Sequence, residues 1–337
     1  MVVAARDLHA LLGRGGNDNE LLAQPVRVLS EPALPSQMPV VRPDSLELDY
    51  PTLATRFEPE AKILWATMRH PERACFTPAL MADGRHFQEW LKEEFGGCAR
   101  ADMPFRYLVW NSAAQGAWSM GGDLSTFTRL IRTRDEQGLR AYAHRSVEVL
   151  FDNYRGLDLP IMTVALVQGD AVGGGFEAMV TNDLVVAERG TRYGLPEILF
   201  NLFPGMGAYS FLKRRVGDRM ARTLIEDGRT RTADELHEIG LIDILCEKGQ
   251  GEAALRAHIK EREGRFATDL TLKRVRQRTD PVTMAELIDI VDLWADLALT
   301  LSESDLRRMD CLARHQERRR ASADAPAGVP AAAVAAA

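Results

Sequence analysis

The sequence is poor in the residues that staple a fold, hold a metal or anchor a chain in lipid. Its four cysteines, Cys75, Cys98, Cys246 and Cys311, are scattered over 337 residues without a CxxC pair. That spacing argues against a disulfide framework and a thiolate zinc site, and reduced thiols are expected. The seven histidines form no cluster, and His237-Glu238 opens like HExxH but has Leu241 in the fifth position, so no metal site is expected. Positive charge is not in excess either. With 42 Lys and Arg against 48 Asp and Glu, the net charge is −6, which disfavours a dedicated nucleic-acid binder. No apolar run approaches the ~20 residues that cross a bilayer. The opening MVVAARDLHALLG lacks the apolar core and cleavage site of a secretion signal. Neither nucleic acid nor membrane is therefore an expected partner, and cytoplasmic is the expected location. GDAVGGGFEA does not have the GxGxxG spacing, and GxxxxGK[ST] and GxSxG do not occur, which disfavours dinucleotide, P-loop and serine-hydrolase sites.

What remains is an ordinary globular composition, 46% hydrophobic and 27% charged, with length for a substantial core. One stretch, 164–207, stands out. A strand-like run at 162–167 leads to three consecutive glycines, Gly173, Gly174 and Gly175, with Glu177 just behind them. Glu197 follows twenty residues later, behind Pro196. Glycines after a strand let a ligand approach backbone N–H groups, because no Cβ intervenes. Two carboxylates brought together over such a site can serve as a general acid and base. Taken singly, Glu177 suits the first turn of a helix and Glu197 a surface ion pair. Their apolar neighbours, Phe176 and Ala178 for one and Ile198-Leu199-Phe200 for the other, point instead to raised pKa values and proton transfer.

Residues 1–45, with scattered proline and little periodicity, are expected to form an extended or partly disordered arm. Strands are predicted at 61–68 and 106–110 and an amphipathic helix at 86–95. Gly121-Gly122-Asp123 then forms a second strand-to-helix glycine turn, with Asp123 as N-cap of a helix over 124–132. Two such turns can each aim one N–H at the same oxygen atom. Further helices are predicted at 135–155, 176–180, 209–216 and 218–226, with a possible capping box of Thr232 and Glu235 before 236–239. Strands are expected at 184–187 and 241–246, and from 252 onward the pattern is helical. An α/β core over 46–250, a helical region over 251–320 and a disordered alanine-rich tail over 321–337 follow from this order.

GGGFEAMVTNDLVVA, YGLPEILFNLFPGMGAYSFLKRRVG and SMGGDL together resemble the three signatures of the crotonase, or enoyl-CoA hydratase/isomerase, superfamily. The resemblance covers roughly residues 55–320. The run PEILFNLFPGMGAYSFLKRRVG with DELHEIG is most similar to the bacterial diffusible signal factor synthases, which make cis-2-unsaturated fatty acid signals. It implies a crotonase-like spiral of ββα units with a helical C-terminal region that mediates trimer formation. It also implies Gly122 and Gly174 as the oxyanion-hole amides and Glu177 and Glu197 as the acid/base pair. No cofactor is implied. The implied reaction is dehydration of a 3-hydroxyacyl-carrier-protein thioester, then hydrolysis to the free acid. Gly121, Val172, Gly173, Phe203, Met206 and Trp294 are the expected substrate-binding residues, with Met206 and Trp294 closing the acyl pocket. Phe176, Phe200 and Leu202 could also line the acyl tunnel, but for each of these and for Phe203 plain core is the favoured reading. The basic run Lys213-Arg214-Arg215, with Arg219 and Arg222, fits either a surface for an acidic carrier protein or coenzyme A phosphates, or equally a solvated helix face. The implied partners are the acyl-carrier protein or acyl-CoA substrate, other copies in a homotrimer or hexamer, and a sensor kinase. The alternatives are an enoyl-CoA hydratase or isomerase acting on coenzyme A thioesters, and a non-catalytic acyl-binding regulatory module.

Overall fold

The computed structural model describes residues 40–42, 46–71 and 73–323. The expected arm therefore lies largely outside the described residues, as does the tail from residue 324. Five parallel strands form the spine of the fold: β4 (Ile63–Met68), β5 (Tyr107–Ser112), β7 (Met162–Val167), β9 (Leu184–Glu188) and β12 (Ile244–Cys246). Three antiparallel strands, β1 (Val40–Arg42), β2 (Glu47–Asp49) and β3 (Leu53–Glu58), extend this sheet beyond β4 to eight strands. Continuous apolar runs such as ILWATM suit central strands covered on both faces.

Alternation along those strands divides the core. Ile63, Trp65, Tyr107, Val109, Val164 and Leu166 face α7 (Gly251–Glu261) and α8 (Phe266–Thr279). Leu64, Ala66 and Leu108 face α1 (Pro78–Phe95) on the other side. A second sheet of four short strands runs in the order β11 (Arg231–Thr232), β10 (Arg192–Gly194), β8 (Asp170–Val172) and β6 (Ala117–Ser119). Each spine strand from β5 to β9 is thus followed by a short strand of the second sheet and then by helix. The helices after them are α2 (Leu124–Arg132) with α3 (Glu136–Arg155), α4 (Gly174–Val180), and a 3-10 turn (Pro196–Phe200) leading to α5 (Ala208–Glu226). That repeat winds the chain into a spiral of ββα units and brings the ends of β6, β8 and β10 side by side.

Local chemistry explains most boundaries. Asp123 caps α2 by accepting from the Thr126 N–H, and Gly156, at φ +66°, ends α3. Gly217, at φ +79°, breaks α5 between the two predicted helices. Thr232 and Glu235 make the reciprocal capping box of α6 (Ala233–Glu238). Helix α1 begins at Pro78, eight residues before the predicted start, because Thr77 caps it and Pro78 is suited to the first turn. Two last helices, α9 (Met284–Ala298) and α10 (Glu303–Ala323), return to pack on α3 and α2. Among the described residues no helix is long and apolar enough to cross a membrane.

Candidate active site

The two glycine turns meet at the ends of β6 and β8. Gly121 adopts φ +88°, and a Cβ built there would lie 2.7 Å from the Val172 carbonyl oxygen and 2.8 Å from the Gly174 nitrogen. Only glycine lets the turns come this close. A Cβ on Gly174 would in turn lie 3.3 Å from the Gly122 nitrogen. Among the described residues, neither the Gly122 N–H nor the Gly174 N–H donates a hydrogen bond within the chain. Both residues line one cavity of about 560 Å³. Two unengaged donors beside each other on a cavity wall can hold one carbonyl oxygen and stabilise negative charge developing on it.

Both glutamates line the same cavity. Glu177, on α4, is 2% exposed, and its Oε1 accepts the Ala208 N–H at 3.0 Å from the first residue of α5. Burial, then repulsion from Glu197, raises its pKa well above the ordinary carboxyl value, against the backbone amides that favour the ionised form. Glu197 sits in the first turn of the 3-10 segment. Its Oε1 lies 2.7 Å from where a Cβ on Gly173 would stand, so glycine at 173 leaves room for it. Although the residue as a whole is half-buried, its Oε2 is out of solvent and has no hydrogen-bond partner. Burial lifts its pKa to about 7. Surface ion pairing is therefore not the situation of Glu197. Both carboxyls are therefore harder to ionise than a free glutamate, and Glu197 is poised near neutral pH.

Of the residues read from the sequence as substrate-binding, Val172, Gly173, Met206 and Trp294 line the cavity. Two expected contacts do not. Gly121 is not on the cavity wall; it spaces the turns from behind. Phe203 packs half-buried against the main apolar core instead. Phe200 and Leu202 reach the cavity, whereas Phe176 turns into the core, where it meets Tyr193.

Sequence reasoning missed the far walls. These come from Leu124 and Phe127 on α2, Tyr142 and Ser146 on α3, Val291 on α9, and Met309 and Leu312 on α10. Their helical spacing was visible, but it marks an inward face whether that face meets core or cavity. Two arginines of the basic run are engaged within the chain. Arg214 is bound to Glu286 and to the carbonyls of Asp280 and Pro281, and Arg215 to Asp243 and to the carbonyls of Val180 and Asn182. These two arginines tie α5 to its neighbours rather than facing a ligand.

Comparison with known proteins agrees with this architecture. Residues 90–285 match the family model for enoyl-CoA hydratase/isomerase. Among solved structures, an enoyl-CoA hydratase from Bacillus halodurans is 21% identical, with a TM-score of 0.64 over 77% of this chain and 99% of that one. An enoyl-CoA hydratase/isomerase from Xanthobacter autotrophicus Py2 is 18% identical, with a TM-score of 0.63 over 83% of this chain and 100% of that one. DspI from Pseudomonas aeruginosa is 23% identical, with a TM-score of 0.56 over 73% and 96%. At these identities the structural likeness speaks to the fold.

Proposed function

The chain belongs to the enoyl-CoA hydratase/isomerase family, and on that premise we propose that it acts as a diffusible signal factor synthase-like dehydratase and thioesterase. The observation that carries the proposal is the presence of Glu177, Glu197 and the unengaged Gly122 and Gly174 N–H groups on the wall of one cavity.

The proposed substrate is a 3-hydroxyacyl thioester whose carbonyl oxygen sits between the two glycine amides. Ionised Glu197 removes a proton from C2, and the negative charge that develops on the oxygen is met by the two N–H groups. One such donor is worth roughly 3–4 kcal/mol of transition-state stabilisation. Protonated Glu177 gives its proton to the departing 3-hydroxyl. Water leaves, a C2–C3 double bond forms, and the proton taken by Glu197 balances the one lost by Glu177. In the second reaction a water molecule, deprotonated by a carboxylate, attacks the same carbonyl. The C–S bond breaks, the thiol takes a proton, and the unsaturated acid is released. The raised pKa values of both carboxyls support these roles near neutral pH.

Substrate delivery by an acyl-carrier protein, the cis geometry of the product and assembly into a homotrimer or hexamer belong to the same proposal. The test is product analysis by mass spectrometry with purified protein and matched 3-hydroxyacyl thioesters of carrier protein and coenzyme A. Free cis-2-unsaturated acid from the carrier-protein substrate supports the proposal. Enoyl-CoA without free acid would make the protein an ordinary hydratase of its family. Acyl binding without turnover would make it a regulatory module.

A further inference from the structure

We propose that Tyr142 is a positioning residue that aims the Gly122 N–H at the reacting carbonyl by clamping the backbone on either side of it. The inference rests on the thioester reading above and concerns a residue outside its acid/base pair.

The argument begins with the two peptide groups that flank Gly122. The N–H of Gly122 shares a rigid plane with the Gly121 carbonyl, and the two point in opposite directions. The Gly121 oxygen accepts the Phe76 N–H at 2.7 Å. Holding that oxygen turns the Gly122 N–H the other way, toward the cavity. The next peptide group is held by its other end, since the Asp123 N–H donates to the Tyr142 hydroxyl at 3.2 Å. That hydroxyl in turn donates to the Phe76 carbonyl. One oxygen atom therefore joins segment 74–76 to segment 120–123, and Gly122 lies between the two anchored points.

Three further observations favour a positioning role over a direct one. The hydroxyl proton is committed to Phe76, so Tyr142 has none to offer a substrate. The side chain is 7% exposed, and its ring is fixed edge-on against Phe127 at 4.7 Å. Phe127 is also the ring that closes the space beside Gly122, since a Cβ on Gly122 would lie 2.6 Å from its Cε2. Burial raises the hydroxyl pKa far above that of a free phenol, so the donor stays protonated across the working range. An oxyanion donor is effective only when it is already oriented before charge develops, which gives this clamp a kinetic consequence.

The experiment compares wild type, Tyr142→Phe and Val147→Ala in turnover of a 3-hydroxyacyl thioester. Val147 is buried on the same helix, and its truncation loosens α3 without touching the hydroxyl. Tyr142→Phe is expected to lower kcat about 10–100-fold, part of what loss of a whole donor costs, while KM changes less than about threefold. Val147→Ala is expected to lower the Tm but keep kcat. Restoring a donor and acceptor with 4-aminophenylalanine at 142 should return most of the lost kcat. If Tyr142→Phe is insoluble, 3,5-difluorotyrosine at 142, a poorer acceptor for the Asp123 N–H, should fold and show an intermediate kcat. A wild-type kcat in Tyr142→Phe, or in the 3,5-difluorotyrosine variant where Tyr142→Phe does not fold, overturns the assignment, as does an equal kcat loss in Val147→Ala. Wild-type protein that turns over no thioester would instead overturn the functional reading on which the assignment rests.

Discussion

The Ala208 N–H donates to Oε1 of Glu177 at 3.0 Å, joining residues 31 positions apart across the entry to α5. This bond fixes the carboxyl without neutralising it. Burial and the nearby Glu197 still raise its pKa well above the ordinary value. The site thus holds two acids that are harder to ionise folded than unfolded, and that difference has a thermodynamic signature.

For each glutamate the folded pKa exceeds the unfolded value. Their contribution to stability is therefore complete below the unfolded value of about 4.3 and declines as pH rises through the folded one. For Glu197 the window runs from there to about 7. Glu197→Gln removes its share of the slope. The variant should gain stability over wild type by roughly 1–3 kcal/mol between pH 5 and pH 8, at 1.36 kcal/mol per unit discounted for partial solvent access. Denaturant titrations at both pH values measure it. An unchanged difference would mean that Glu197 ionises as freely in the fold as in the unfolded chain.

Gly174→Ala probes the other half of the site. The added methyl would lie 2.6 Å from the Met206 sulfur, the movable part of a flexible side chain, and 3.3 Å from the Gly122 nitrogen. The fold should survive while the methyl obstructs the space before both donors. The expected loss of kcat is about 100-fold or more, with a circular dichroism spectrum like that of wild type. A normal kcat would show that no oxyanion sits there.

Much of this site is legible in the sequence, for physical reasons that differ from residue to residue. Glycine has few uses at the end of a strand, so the turns at 121–122 and 173–175 stand out, and the family resemblance singles out Gly122 and Gly174 within them. Asp123 before an amphipathic run marks a cap, and the structure begins α2 one residue later. Gly217 marks a break because nothing else in that helix adopts φ +79°. The three-residue strands β6, β8 and β10 are too short to show alternation, so the second sheet was not legible. Phe203 and Phe176 show the opposite limit. An aromatic residue beside a catalytic motif looks the same in sequence whether it turns to cavity or core, and tertiary packing alone decides. Arg214 and Arg215 read as a free basic surface because their partners, Glu286 and Asp243, lie far away in the chain.

Trp294 stands on α9 against the turn before α5, where a Cβ on Gly205 would come 2.4 Å from its Cγ, and its ring meets Phe127 at 5.1 Å. It is 6% exposed and lines the cavity. Trp294→Ala should lengthen the space available to an acyl chain and shift the chain-length profile toward longer substrates, by roughly tenfold in relative kcat/KM for each methylene accommodated. It should also cost up to about 3–5 kcal/mol of stability, read as a lower Tm. An unaltered chain-length profile in the folded variant would place the acyl group elsewhere.

The most direct test of the paired-carboxylate account is the rate of 3-hydroxyacyl thioester dehydration by wild type, Glu177→Gln, Glu197→Gln and the double variant. The account predicts that each single variant loses about 100-fold to 10,000-fold in kcat. The double variant should fall little further, because the two groups act in one step. Near-wild-type turnover in either folded single variant would contradict it.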